Sequence, residues 1–256
     1  MRVIGIIPAR MGSSRFPDKP LAKIHGMPMV GHIYFRSKMA KVLNDVYVAT
    51  CDNAIYDYVL SIGGKPVMTG AHHERASDRI AEALLAIEKK ERRRADIVVM
   101  IQGDEPMVKP TMIDAAVKPF LEDKSIKVAN LLGRIRSEKE FEDPNCIKVV
   151  VDRNNFALYF SREPIPTRKK GAAKFPMYKQ ICIIPFARDF LLQYTKLKPT
   201  PLEKAESIDM LRVLEHGYKV KMVPGKWDTQ SVDTPKDLEL VERLMEKDEL
   251  MKKYMR

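Results

Sequence analysis

Cysteine is scarce in this chain. Cys51, Cys146 and Cys182 are widely scattered, and no C-x-x-C pair occurs. An odd count at such spacing argues against a disulfide framework and supplies no zinc ligand set. Each thiol stands beside apolar residues, so packing is its expected role, and reduced thiols fit a cytosolic compartment. Trp227 is the single tryptophan and gives no stacking platform. No apolar run approaches the roughly 20 residues of a membrane-spanning helix. Met1-Arg2 leads straight into a strand pattern with no small-residue cleavage site, so a cytoplasmic location is expected. Low-complexity segments, internal repeats and a clear linker are lacking, as are a Ser-His-Asp elbow and a reactive-cysteine context. His25, His32, His72, His73 and His216 show no metal-ligand spacing. His72-His73 precede Glu74-Arg75 and a helix, which leaves either a ligand contact or an ordinary loop role open.

The 256 residues suit one large domain or two small ones, with enough chain for a substantial core. Forty-five basic against 34 acidic residues give a net charge of +11. The excess gathers at Lys89-Lys90 with Arg92–Arg94, at Arg168–Lys170 with Lys174, and at Lys252-Lys253. No aromatics interleave with these clusters, so the reading is a solvated surface with some cations serving an anionic small substrate, and no nucleic-acid partner is expected.

Strand and helix signals alternate through the first half. Apolar runs at 3–7, 46–49, 66–68 and 97–101 read as short buried strands. Helical stretches near 29–40, 54–62 and 77–90 separate them, with Asp52 and Ser77 as caps and Gly63-Gly64 as a stop. This order predicts an α/β, Rossmann-like fold, a mostly parallel central sheet flanked by helices, with ligands at the carboxyl ends of the strands. The second half is less regular: a hairpin over 147–160, a basic Pro-rich loop over 164–176, and a strand over 178–186. A helix over 202–215 capped by Thr200, a strand over 219–223 and a final helix starting at Thr234-Pro235 complete the reading. The expectation is one domain, 1–256, with a smaller sheet-bearing insertion near 140–200 that serves dimerisation.

The chemistry concentrates after the first strand. Ile-Pro-Ala-Arg-Met-Gly-Ser-Ser-Arg-Phe-Pro-Asp-Lys-Pro, residues 7–20, places Arg10, Arg15 and Lys19 around the turn Gly12-Ser13-Ser14. Such a turn can aim backbone N–H groups at an anion, and its cations attract a polyphosphate. Three prolines limit the entropy lost when the loop closes on a ligand. A solvated basic loop is the competing reading. Asp104, in Gln102-Gly103-Asp104-Glu105-Pro106 after another strand, should face the same crevice, where a carboxylate would hold a hard cation. Asp233 is either a second such ligand or part of a helix start. Two acids and several cations suit phosphoryl or nucleotidyl transfer.

The run from Ile6 to Leu21 resembles the signature of the CMP-Kdo synthetases, the 3-deoxy-manno-octulosonate cytidylyltransferases. Similar matches follow at Val48-Ala49-Thr50, Gln102–Pro106, Lys148-Val149-Val150, Ala157–Arg162, Leu211–Leu214 and Val232–Pro235. The resemblance implies a homodimeric nucleotidyltransferase that uses CTP and Mg²⁺ and serves lipopolysaccharide or capsule synthesis. The anomeric hydroxyl of a 2-keto-3-deoxy sugar acid would attack the α-phosphorus, with pyrophosphate leaving. Arg10 and Lys19 would hold the triphosphate and, with Asp104, form the catalytic set. Ala9, Gly12, Ser13, Ser14, Arg15 and Arg79 would complete the nucleotide site. Asp104 and Asp233 would carry magnesium. Arg15, Arg75, Gln102, Arg162, Gln180 and Asp209 would meet the acidic acceptor.

Departures from the family pattern cluster in the acceptor set. The family's Ser-Gly stands here as Arg75-Ala76, its strand His and Tyr as Gln180 and Ile184, and its Glu-Gln pair as Asp209-Met210. Loss of polar partners at a site that binds hydroxyls changes specificity. These departures predict retained cytidylyl transfer with an acceptor other than ordinary Kdo, such as a modified ulosonate or a non-sugar acid. A catalytically inactive nucleotide-binding or regulatory protein is the alternative of another class.

Overall fold

The computed structural model describes all residues except 13, 14, 172–174, 228 and 256. The chain forms two compact units, Met1–Asp114 with Thr229–Arg256, and Ala115–Asp228. The insertion expected over 140–200 lies inside the second.

The first unit opens with β1 (Val3–Ala9), the two-stranded hairpin β2 (Lys23–Ile24) and β3 (Met27–Pro28), and α1 (Met29–Lys38). It continues with β4 (Asp45–Thr50), α2 (Asn53–Ser61), β5 (Pro66–Met68), α3 (Ala76–Glu91) and β6 (Ile97–Ile101). α4 (Pro110–Glu122) carries the chain onward. The four strands of this unit's main sheet are parallel in the order β6-β1-β4-β5. β1 and β6 are almost wholly buried apolar runs, as strands covered on both faces must be. Read from the β5 edge, these strands are third, second, first and fourth in chain order. The direction of winding reverses between β1 and β6, and a crevice opens outside their carboxyl ends at such a point. The loop after Ala9 and the turn after Ile101 therefore lie where sheets of this kind bind their ligands.

The second unit adds β7 (Ala129–Arg134), α5 (Glu138–Glu142), β8 (Lys148–Val151), β9 (Ala157–Ser161), β10 (Tyr178–Ile181) and β11 (Ile183–Ala187). α6 (Arg188–Tyr194), α7 (Pro201–Glu206), α8 (Asp209–Glu215) and β12 (Lys221–Pro224) follow. Its sheet runs β12-β7-β10-β8-β9, with only β12–β7 parallel. The predicted hairpin is β8–β9: Asp152 accepts from the N–H groups of Asn154 and Phe156, both at 2.8 Å. The chain then returns to the first unit with α9 (Pro235–Met245), followed by a short 3-10 turn over Met251–Lys253.

Several expected elements differ. The strand read over 178–186 is two strands interrupted at Cys182. The helix read over 202–215 is α7 and α8, because Ser207 takes a left-handed conformation (φ 52°) and stops the first after its Thr200–Glu203 capping box. Between them, Arg212 of α8 donates to Glu203 of α7 at 2.6 and 2.7 Å, with Glu203 fully buried. Ser77 does not cap α3. Arg75 holds that position and Ser77 is buried within the first turn. Asp52 precedes α2 but makes no capping bond, because its carboxylate accepts from the Met11 N–H at 2.9 Å.

Candidate active site

The cleft at the ends of β1 and β6 has a volume of about 350 Å³. The first loop supplies Ala9, Arg10, Gly12, Arg15 and Lys19, the entry to α3 supplies His73, Arg75 and Arg79, and the turn after β6 supplies Gln102 and Asp104. The sequence expected the loop and the β6 turn to share one crevice, and they do. Two hydrogen bonds to the Met11 backbone shape the wall: Asp18, in the left-handed region, returns its N–H to the Met11 carbonyl at 3.4 Å, and the Met11 N–H bond to the Asp52 carboxylate anchors the loop's start. Gly103 lies so close to β1 that a Cβ there would sit 2.5 Å from the Pro8 carbonyl oxygen. Any side chain at this position would push the turn carrying Asp104 off the strand.

Asp104 and Asp233 are 129 residues apart in sequence and adjacent in space. The Val232 N–H donates to the Asp104 carbonyl at 2.9 Å, fastening the segment before α9 to the turn after β6. Thr229 donates to Glu105 in the same seam. Thr234 and Asp237 form the capping box of α9, so the helix start belongs to Thr234 and the Asp233 carboxylate is left for the cleft. Lys19 reaches both acids, with Nζ 3.2 Å from Asp104 Oδ2 and 3.7 Å from Asp233 Oδ1, and also donates to the Val232 carbonyl at 2.9 Å. Arg15 donates to the same Asp233 oxygen at 2.8 Å. Two carboxylates thus converge on one cationic centre, a hard-oxygen arrangement of the kind magnesium takes together with substrate phosphates.

Arg79 is buried against the turn that leads into α3. It donates to Thr69 Oγ1 at 2.6 Å, to the Gly70 carbonyl at 3.3 Å and to the His73 carbonyl at 3.4 Å. Its charge reaches the cleft while its donors hold the wall. His72 and His73, whose role sequence left open, converge in space with Glu82, from the second turn of α3. No local spacing rule joins a turn dipeptide to a helix residue nine positions on, and only the fold of 69–82 brings them together. Ser13 and Ser14 lie outside the described residues.

The other sequence-predicted residues belong to the second unit. Arg162, at the end of β9, donates to the carbonyls of Glu206 (2.6 Å), Pro144 (2.8 Å) and Ser207 (3.3 Å), which ties down the break between α7 and α8. Gln180 stands in β10 with its buried Oε1 unpartnered among the described residues. Ile184 and Met210 are buried apolar side chains, and Asp209 begins α8 with its carbonyl accepting from Tyr194. Lys148, buried in β8, donates to the carbonyls of Asp143, Cys146 and Arg162, and burial lowers its pKa.

A family model described as Cytidylyltransferase matches residues 4–222. The 3-deoxy-manno-octulosonate cytidylyltransferase of Geobacter metallireducens is 43% identical over 95% of this chain and 98% of its own length. That of Syntrophobacter fumaroxidans is 44% identical over 97% and 98%. A solved structure of CMP:2-keto-3-deoxy-manno-octonic acid synthetase complexed with CTP superposes with a TM-score of 0.87, at 37% identity over 96% of this chain and 98% of that one. Sequence and fold thus agree along nearly the whole length, and the chain belongs to the 3-deoxy-manno-octulosonate cytidylyltransferase family of nucleotidyltransferases.

Proposed function

We propose that this enzyme transfers CMP from CTP to Kdo, through the cleft after β1 and β6. The observation that carries the reading is the convergence of Asp104 and Asp233 on Lys19 beside Arg10, Arg15, Arg75 and Arg79. The acceptor's anomeric hydroxyl oxygen forms a bond to the α-phosphorus as its proton passes to solvent, the bond from that phosphorus to the bridging oxygen breaks, and pyrophosphate leaves with the electron pair. Charge builds on the departing pyrophosphate, so fixed cations accelerate the step. Arg10 and Lys19 bind the triphosphate, and Arg15 swings between Asp233 and the phosphates. Arg79 keeps the wall at 69–73 in place, and Gln102 presents an amide to the substrate. Asp104 and Asp233 would hold Mg²⁺, since their oxygens already converge on a cation; the ion would supply further neutralisation of the phosphates. A cytoplasmic homodimer is part of the same proposal, tested by equilibrium sedimentation.

One observation favours a second reading of the acceptor. Ile184 and Met210, where the family resemblance places polar side chains, are 2% and 1% exposed and offer no hydrogen bond from their side chains. A modified ulosonate would then be preferred over Kdo. The deciding experiment follows pyrophosphate release with CTP, Mg²⁺ and a panel of ulosonates. Kdo turnover at an ordinary kcat/KM removes the second reading. Asp104→Asn should lower kcat by about 10²–10³-fold, the usual cost of losing a charge-stabilising group. An unchanged rate would refute the site.

A further inference from the structure

The turn from Thr69 to Arg75 carries donor atoms that nucleotidyl transfer does not use. His73 Nε2 is bonded to Glu82 Oε2, and the His72 and His73 rings lie 4.2 Å apart between centroids. One nitrogen of each ring and one Glu82 carboxylate oxygen all fall within 4.8 Å of one another. The Gly70 N–H donates to both Glu82 oxygens at 3.1 Å, which fixes the carboxylate's orientation from behind. The His72 ring packs directly against Gly70, where a Cβ would collide with it. The three Arg79 bonds hold the turn itself.

Two imidazoles and one carboxylate with a backing hydrogen bond make a three-ligand set that leaves a fourth position open. Imidazole donors select late first-row ions over magnesium. The set therefore differs in chemistry from the all-oxygen pair Asp104 and Asp233. We propose that His72, His73 and Glu82 form a binding site for a divalent transition-metal ion of the zinc class, separate from the magnesium pair. The ion enters between His73 and Glu82, replacing their hydrogen bond, and both imidazoles bind as neutral ligands. Because His73 lines the cleft, the ion ties the wall that carries Arg75 to the second turn of α3. Occupancy then stiffens the nucleotide site.

The test uses Co²⁺ as a spectroscopic stand-in, titrated into the full-length protein with Mg²⁺ in excess. One equivalent should give the visible d–d bands of four-coordinate cobalt, and Zn²⁺ should bleach them. His72→Ala changes an exposed side chain and should weaken cobalt binding by at least the 10–100-fold that loss of even an outer-shell partner costs. Glu82→Gln should do the same, with circular dichroism confirming the fold of both variants. Asp104→Asn should leave the cobalt spectrum intact. Absence of a four-coordinate spectrum at millimolar Co²⁺, bands that survive His72→Ala, or bands lost in Asp104→Asn would each overturn the proposal.

Discussion

Gly103→Ala is a single methyl that should disable the enzyme from outside its set of charged groups. Its Cβ would meet the Pro8 carbonyl oxygen at 2.5 Å, about 0.9 Å inside the 3.4 Å at which ordinary contact begins. Pro8 cannot yield readily, because it is paired with Ala49 inside a buried parallel sheet. The turn must move instead, and it carries Asp104, whose carbonyl is fastened to Val232 and whose carboxylate faces Lys19. A displacement near 1 Å of a positioned group costs about 10²-fold in rate. The expected fall in kcat/KM is therefore about 2.7 kcal/mol of barrier, at 1.36 kcal/mol per tenfold. Overpacking should also lower stability by about 1–3 kcal/mol. Pyrophosphate release at saturating Mg²⁺ gives the first quantity and urea unfolding the second. Gly12→Ala serves as the stability control, since nothing lies within 4 Å of a Cβ there, and its Tm should not change. A Gly103→Ala enzyme within about threefold of wild-type kcat/KM, under 1 kcal/mol of barrier, would refute the claim that this close approach positions Asp104.

Three further perturbations test the frame. Arg212→Met leaves the Glu203 carboxylate buried and without its charged partner, so urea unfolding should show a loss of about 3–5 kcal/mol, partly restored by adding Glu203→Gln. Burial opposes ionisation of Asp248, yet the fully buried Arg36 guanidinium and the N–H groups of Leu250 and Met251 hold its carboxyl below the ordinary range. A depressed carboxyl stabilises above its unfolded value of about 3.9 and loses that contribution as pH falls through the folded value. The stability gap between wild type and Asp248→Asn should thus be constant near neutrality and close below about pH 4; a gap that widens in acid contradicts the pairing. Thr234→Ala removes one arm of the α9 capping box and should cost about 1 kcal/mol in unfolding experiments, with a fall in kcat/KM because Asp233 directly precedes it.

The first unit was legible because its signals are local and repeated. Buried strands at 3–7, 46–49 and 97–101 need only runs of apolar residues, and β-α-β order then dictates a parallel sheet and the end of it where ligands bind. The second unit was less legible for an equally physical reason. Its strands pair across long separations, β7 with both β10 and β12, and no local pattern encodes that pairing. Ser207 shows the limit at one residue. A serine in the left-handed region is unfavourable in isolation, and it is offset there by the Glu203–Arg212 pair and by Arg162 on the carbonyls of Glu206 and Ser207. Reading continuous helix over 202–215 follows propensity, and tertiary contacts override it.

The site divides the same way, and the division bears on how it works. Residue types marked Arg10, Arg15, Lys19 and Asp104 as a phosphate and cation site, since strand ends of this fold face one crevice. What sequence left open was Asp233, a helix cap or a ligand. Geometry separates the two: Thr234 and Asp237 complete the cap between themselves, so the Asp233 carboxylate has no duty at the helix and turns to Lys19 and Arg15. The consequence is a site whose cations are engaged by its own acids. A triphosphate arriving in the cleft competes for Lys19 and Arg15, and each cation it draws away leaves Asp104 and Asp233 less neutralised. Two carboxylates so exposed repel one another and attract a dication. Triphosphate and magnesium should therefore bind with positive coupling, each raising the affinity of the other by the same factor. Calorimetric titration of CTP with and without Mg²⁺ measures that factor, and Lys19→Met should reduce it. Equal coupling in the variant would show that Lys19 does not link the two.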